Sequence, residues 1–326
     1  MATTSAHPPR LVVAIGGNAL FGSDEAGSAE DEFANAMLTA GPLVELVAAG
    51  CRLVITHGNG PQVGAALLRS DLAAGQAYVL PYDCCVAATQ GEIGYVLQYA
   101  LWQQMQLVGL QVPVVALITQ VQVDRHDAAF HRPTKPVGPY YERDRADELR
   151  RTRGFAFVEV AGRGFRRVVP SPVPREIVEL PAIRACLEQG LVVIAGGGGG
   201  IPVFNDKDVS KGVEAVVDKD LTSALLASAL PADLLAIVTA VERVCLDYGT
   251  ARERPLDQLS AAEARRHLAD GQFPEGSMGP KIRAALAYID GGGREAVITD
   301  AAHLVLAVEG RAGTRIRPDT PAPLLH

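Results

Sequence analysis

The chain has 326 residues, 48% hydrophobic and 21% charged, with a formal net charge of −7. That length suits one large α/β domain or two smaller ones, and the acidic balance argues against a nucleic-acid or membrane-surface protein. No apolar run approaches the ~20 residues of a membrane span. The five cysteines form no C-x-x-C pair, so neither a disulfide framework nor a zinc ribbon is suggested and a reducing cytosol fits best.

Residues 1–10 are short and polar, lack a signal-peptide core and read as a disordered leader. "LVVAI" (11–15) follows, a continuous apolar run ending in Gly16, Gly17 and Asn18. "RLVIT" (52–56) ends in His57, Gly58, Asn59 and Gly60. Cys84 and Cys85 stand at the start of a helix, where packing is the expected role. Ile93, Leu97, Leu101 and Met105 recur every four residues and predict one apolar stripe on a long helix. "PVVALIT" (113–119), "LVVIA" (191–195), "LLAIVT" (234–239) and "EAVIT" (295–299) are further apolar runs. Strands buried on both faces of a parallel sheet read this way. Ser260 and Glu263 have capping-box spacing. Ile282, Leu286 and Ile289 predict a helix that stops at the glycines 291–293. Strand–helix alternation predicts a three-layer αβα sandwich around a mainly parallel sheet.

One segment breaks the alternation. From about 120 to 170 the chain is rich in Arg, Pro, Gly and aromatics, too long for a simple connection. "FAFVEVA" and "FRRVVPS" predict a hairpin within it. The segment, about 121–170, is expected to protrude as a small lid-like subdomain. His126 and His131 lie there without a carboxylate or cysteine cluster, so a zinc site is not supported. Ser171 lacks a G-x-S-x-G context, which removes the hydrolase nucleophile reading.

Three strands end in glycine: at Gly16–Gly17, at Gly58–Gly60 and at residues 196–200. Ligands of open parallel sheets bind at the carboxyl ends of the strands, where glycine lets bare backbone N–H groups approach an anion. Tight turns are the plainer explanation for any one of these loops; three together point to an anion. Neither a Walker A loop nor a dinucleotide fingerprint is present.

Only five of the 30 basic residues are lysines: Lys135, Lys207, Lys211, Lys219 and Lys281. A compact ammonium fits a small phosphoryl cradle that a wide guanidinium fork does not, and phosphoryl transfer needs such charges to position and neutralise. Lys135 lies on the excursion, Lys219 in "VDKD" and Lys281 just inside a helix start, where a cation opposes the dipole unless an anion joins it. Lys207 and Lys211 read as loop charges. Asp218 and Asp220 flank Lys219 as anions that hold the lysines, with a helix N-cap as the plainer reading. His57 reads as a packed or hydrogen-bonded histidine.

Taken in order, "VVAIGGNAL", "THGNGPQVG", "QGEIGYVLQYAL", "RPTKPVGPYY", "FRRVVPSPVP", "GGGGIPV", "KGVEAVVDKDLTSALLA" and "FPEGSMGPKIRAA" resemble the signature blocks of the carbamate kinases, within the amino-acid-kinase fold. They span about residues 11–316. The resemblance implies reversible transfer of a phosphoryl group between ATP and carbamate, with Mg²⁺ accompanying ATP or ADP and no metal ligand from the protein. It also implies a cytoplasmic homodimer with a central sheet of about eight strands, binding neither nucleic acid nor membrane. By similarity, Gly16, Gly17, Asn18, Gly58, Asn59 and Gly60 line the acceptor and the transferring phosphate. Lys135 reaches in from the protrusion, Lys219 and Lys281 stabilise the transferring group, and Asp220 organises them. Thr239, Ala240, Val241 and Tyr248, with Met278 and Gly279 nearby, resemble the nucleotide edge. The N-terminal half is expected on the acceptor side and about 190–326 on the nucleotide side.

Two departures from the family pattern bear on the nucleotide. Cys245 stands where an aromatic residue is expected, and Arg315 where a small apolar residue is usual. Carbamate is already an oxyanion, so its transfer needs no general base, and the sequence offers no clear one. Other kinases of this fold place a lysine in the first strand; Ala14 stands there here. A kinase of a related small carboxylate and a catalytically silent nucleotide-binding relative remain the alternatives, with hydride transfer weakest.

Overall fold

Every residue from Leu11 to Ile15 is buried, and this run forms β1 (Arg10–Ile15) at the middle of the main sheet. The computed structural model describes residues 7–17, 28–206 and 209–319. Asn18, Lys207 and the first six residues of the expected leader lie outside that set. The leader ends earlier than expected, because Arg10 already pairs with Arg52 in the ladder and its N–H donates to Asp233.

In chain order the strands are β1, β2 (Arg52–His57), β3 (Val114–Ala116), β4 (Gln120–Val123), β5 (Lys135–Tyr141), β6 (Ala156–Val160), β7 (Gly164–Val169), β8 (Pro174–Ile177), β9 (Val192–Ile194), β10 (Ile201–Asp206), β11 (Val209–Gly212), β12 (Leu234–Thr239), β13 (Cys245–Leu246), β14 (Arg254–Pro255), β15 (Gln258–Ser260), β16 (Ala296–Asp300) and β17 (Thr314–Arg317). The helices are α1 (Ala29–Ala48), α2 (Gly60–Leu72), α3 (Tyr82–Leu107), α4 (Arg143–Arg153), α5 (Leu180–Glu188), α6 (Lys219–Ala229), α7 (Ala261–Ala269), α8 (Met278–Asp290) and α9 (Leu304–Val308).

The main sheet has eight strands in the order β15-β17-β16-β12-β1-β2-β9-β3. All neighbours from β16 to β3 run parallel; β17 is antiparallel to β16. Alternate residues feed two cores. Leu11, Val13 and Ile15 pack with Leu43, Leu97 and Leu304 from α1, α3 and α9. Val12 and Ala14 face the other side, with Ile183, Leu226 and Ile282 from α5, α6 and α8. This is the expected three-layer sandwich, and burial on both faces is why the strands read as unbroken apolar runs.

The α3 stripe is real: Ile93, Leu97, Leu101 and Met105 are all buried, each worth ~1.5–3 kcal/mol of removal from water. The capping box at Ser260 and Glu263 starts α7, and α8 stops at Gly291. The strand expected over 113–119 is shorter, Val114–Ala116. Beyond it the chain leaves the sheet, and the buried Gln90 side chain takes over its backbone, accepting from Thr119 N–H at 2.7 Å and donating to Thr119 C=O at 3.1 Å.

Two smaller sheets follow, β11-β10-β4-β8 and β5-β7-β6. The hairpin expected near 155–171 is β6 and β7, antiparallel about a turn that holds Gly162 at φ 72°. β5, β6, β7 and α4 form an outer unit beside the carboxyl ends of β1 and β2.

Candidate active site

At the carboxyl end of β1 the chain cannot move away from its neighbours. Gly16 N–H donates to Val238 C=O at 3.0 Å, and Gly58 N–H to Ile15 C=O at 3.1 Å. These two amides are spent on the ladder, contrary to the expectation that all the strand-end glycines offer N–H groups to an anion. Gly58 is small for another reason. A Cβ there would sit 3.1 Å from the Gly17 nitrogen and 3.5 Å from Lys219 Cδ. Gly60 opens α2, where the first-turn N–H groups have no intrahelical acceptor.

The glycines 196–200 are closely packed, and Gly198 also lines a cavity beside Lys135 and Lys219. A Cβ on Gly197 would overlap the His57 ring, one on Gly198 the Asn59 amide, and one on Gly199 the Val217 carbonyl. His57 is therefore pinned, fully buried, with Nδ1 2.9 Å from Gly58 O. Burial holds its pKa down to about 4. The sign is clear: unfolded, the imidazole titrates near 6.5, so between those values the unfolded chain binds more protons. Stability from this group is complete above pH ~6.5 and is lost as the pH falls through ~4, by up to about 3 kcal/mol. Urea midpoints measured across that window are expected to fall, and His57→Gln is expected to flatten that part of the curve.

"VDKD" begins α6. Asp218 is the N-cap, accepting from Asp220 N–H at 2.9 Å. Asp220, which the sequence allowed to be both cap and organiser, is only the second. It is 3% exposed, with Oδ1 2.6 Å from Lys219 Nζ and Oδ2 3.7 Å from Lys281 Nζ. Burial pushes its carboxyl up, but Lys219 and Lys281 outweigh this and hold it below the usual carboxylate range. Burial lowers Lys281 in turn, with Asp220 opposing. Lys281 Nζ also donates to Ser277 C=O at 3.2 Å, just ahead of α8. Lys135, at the start of β5, meets Asp218 Oδ2 at 3.5 Å. Three lysines from three segments thus converge on two aspartates.

Two cavities flank this cluster. One, of about 390 Å³, is lined by Gly16, Thr239, Ala240, Val241, Tyr248 and Met278, all six named from the sequence. Cys245 lines it as well. Gly279 does not; its N–H reaches Pro274 C=O at 2.9 Å, and a Cβ would press on that oxygen. Arg315 is also absent: it donates to the Ala307 and Val308 carbonyls and pairs with Glu295. That departure from the family pattern stabilises the end of α9 and leaves the cavity untouched. Arg243, Gln272, Phe273 and Pro274 line the cavity and were missed in the sequence. Gln272 accepts from Asp247 N–H at 2.8 Å, holding a turn in which Asp247 has φ 51°.

The other cavity, of about 400 Å³, is lined by Gly58, Asn59, Gly60, Lys135, Asp218 and Asp220, among others. Asn59 Nδ2 donates to Thr89 Oγ1 at 2.9 Å, which fixes its amide. Arg166 of β7, also missed in the sequence, faces this cavity. Its Nε donates to Gly138 C=O at 3.3 Å and its guanidinium lies 5.3 Å from the Tyr140 ring. Gly17, Lys219 and Lys281 line both cavities. The two cavities meet at Gly17, Lys219 and Lys281, so groups entering from either side reach the same two ammonium groups.

The amino acid kinase family profile matches residues 9–300. A carbamate kinase of Pyrococcus furiosus is 45% identical over 313 residues, covering 95% of this chain and 99% of that protein. A carbamate kinase-like protein, YahI, of Escherichia coli is 44% identical over 310 residues, covering 94% and 98%. The structure of carbamate kinase from Giardia lamblia bound to AMP-PNP superposes with a TM-score of 0.92 at 39% identity, covering 96% of this chain and 99% of that one.

Proposed function

We propose, for a chain that belongs to the amino acid kinase family and within it to the carbamate kinases, reversible direct transfer of a phosphoryl group between ATP and carbamate. The observation that carries this reading is the shared wall: Gly17, Lys219 and Lys281 line both cavities. A nucleotide in the first aims its terminal phosphate at that wall, and carbamate in the second meets it from the opposite side. Charge building on the transferring oxygens is met by the two ammonium groups that Asp220 holds in place. The acceptor is already ionised, so no base is required, and buried His57 is placed to be none.

Magnesium enters as part of the substrate, MgADP or MgATP. Both Asp220 oxygens face lysines, while the phosphates themselves offer the oxygen ligands that Mg²⁺ prefers. The outer unit, residues 135–169 of the 121–170 segment, acts as a lid that carries Lys135 and Arg166 over the acceptor. In this division the N-terminal half serves the acceptor and about 190–326 the nucleotide. Arg166→Ala is expected to raise the KM for carbamoyl phosphate roughly tenfold, with kcat changed less, because a lid cation serves bound substrate and transition state alike. Initial-rate kinetics on folded protein decide it.

The test of the function is ATP formation from carbamoyl phosphate and MgADP, read by luciferase. ATP production well above that of Lys219→Ala is expected. None above that control, from folded protein, overturns the reading, and ADP release with other small carboxylates then tests the related-acceptor alternative.

We further propose a homodimer. Tyr95, Tyr99 and Trp102 lie on one face of α3 and are 60%, 40% and 55% exposed. Ile118, 48% exposed, follows β3, which closes this edge of the main sheet. An apolar stripe beside the terminal strand of a sheet marks an association surface. Sedimentation equilibrium is expected to give a dimer, and Trp102→Glu a monomer. Five free thiols, Cys84 exposed among them, suit a cytoplasmic setting.

A further inference from the structure

A third cavity, of about 440 Å³, lies between α2 and the outer unit, behind the acceptor cavity. The proposed transfer makes no use of it. Its volume falls within the range of small-molecule sites, ~300–1,000 Å³.

Arg167 is the feature that asks for an occupant. It is 7% exposed, and its guanidinium carbon sits 3.4 Å from the centroid of the Phe155 ring. One terminal nitrogen donates to Glu214 at 2.8 Å. Its Nε is buried and has no hydrogen-bond partner. A buried donor on a charged group is costly when left unmade.

The acidic groups around it are already engaged. Asp71 accepts from Tyr141 Oη at 3.1 Å, Glu148 holds Arg145 at 2.6 Å, and Glu214 holds Arg167 itself. Arg153, also on the wall, makes no hydrogen bond or ion pair among the described residues. Three arginines and three carboxylates share the wall, so it is balanced in charge; what is left unmade beside Arg167 is a donor, its buried Nε. Leu67 and Leu149 supply apolar wall, and Phe155 adds the ring that stacks on the Arg167 guanidinium.

The cavity is also coupled to the acceptor site. Tyr82 and Val137 line both. On β7, Arg166 faces the acceptor cavity and Arg167 the third one, as strand alternation requires. The helix α2 opens at Gly60 in one cavity and brings Asp71 to the other. A group bound to Arg167 acts on the strand that carries Arg166.

We propose that this cavity is a regulatory site for a small monocarboxylate with an apolar body. Its carboxylate takes the Arg167 Nε and the Arg153 charge, and its body fills the space between α2 and α4. Such a ligand ties the outer unit to α2 in the arrangement that brings Lys135 to Asp218. It therefore lowers the KM for carbamoyl phosphate and leaves kcat unchanged, as expected for a ligand that selects the closed arrangement.

The probe is 4-bromobenzoate, soaked into crystals of the full chain and titrated in the ATP-forming assay. A bromine anomalous peak between α2 and α4 is expected, together with a KM lower by on the order of threefold. Val79, 40% exposed on the cavity wall, is replaced by Trp to fill the space. Val79→Trp is expected to keep basal turnover and to lose both effects. Bromine only in the other two cavities, or only water at Arg167, overturns the site. A KM effect that persists in Val79→Trp, or a peak in the cavity with unchanged KM, overturns the regulation. The kinetic readout rests on the proposed transfer; the anomalous peak does not, so the two can fail separately.

Discussion

Lys219→Arg is expected to fold as the parent does and to lose turnover by about a thousandfold, ~4 kcal/mol of barrier. The charge is kept and Asp220 still has a cation beside it, so little stability is at stake. Space is the issue. The lysine stem runs 3.5 Å from the position a Cβ would take on Gly58, and Gly58 in turn is pressed against the Gly17 backbone. The side chain is 14% exposed, with its Nζ already 2.6 Å from Asp220. A guanidinium is wider, planar and fixed in its donor directions. It has to displace the backbone at Gly17 and Gly58 or turn away from Asp220. The comparison that decides the matter is kcat for Lys219→Arg against Lys219→Ala, with circular dichroism and thermal melts as controls of folding. Turnover of the Arg variant within tenfold of the parent removes the idea that the site selects a compact ammonium. The same result would leave the scarcity of lysine in this chain without a physical reason.

What the sequence made legible was set by how strongly each element is buried. β1, β2, β12 and β16 are enclosed on both faces, so their apolar runs were unmistakable. β15 and β17 were not seen. Of β17 only Thr314 and Ile316 are buried, and its four residues alternate with arginine. β17 lies between β15 and β16, but a strand buried on only one face carries half the signal of one buried on both. The long segment after Gln120 was recognised as an interruption, but not that β4 leaves it to pair with β10 and β8 in a separate sheet. Pairing between distant segments leaves no local mark.

The lysine cluster was readable because lysine is rare here, and because its three members sit in separate apolar-flanked blocks. Arg166 had a weaker signal that was available: in "FRRVV" the two arginines must face opposite sides of a strand, so both cannot be solvated alike. Gln272 had none. It lies in "DGQFP", a turn without periodicity, and reaches the cavity lined by Thr239 and Tyr248 only because the end of β13 is brought beside it through Asp247. The glycines 196–200 were read as an anion loop, and their packing role was not seen. Their crowding is against His57, Asn59, Val217 and Val121, residues far apart in the chain.

That crowding sets the second large expectation. Gly199 has φ 90°, and a Cβ there would overlap the carbonyl oxygen of Val217, with Lys219 N 3.3 Å away. Gly292 has nearly the same φ, 88°, but nothing within 4 Å of its Cβ position. The two glycines separate the cost of conformation from the cost of space. Gly292→Ala carries only the left-handed penalty, ~1–2 kcal/mol. Gly199→Ala adds an overlap with backbone, which cannot swing aside as a side-chain tip does. Its relief requires moving the segment that precedes Asp218, the cap of α6, and with it Lys219. Gly199→Ala is therefore expected to lose at least about 3 kcal/mol of stability. Whatever folds is expected to be nearly inactive, because the lysine is displaced. Urea midpoints for the two variants, with turnover of each, make the test. Equal destabilisation of Gly199→Ala and Gly292→Ala would mean that the segment before α6 yields freely. The glycine run would then not be what fixes Lys219 in place.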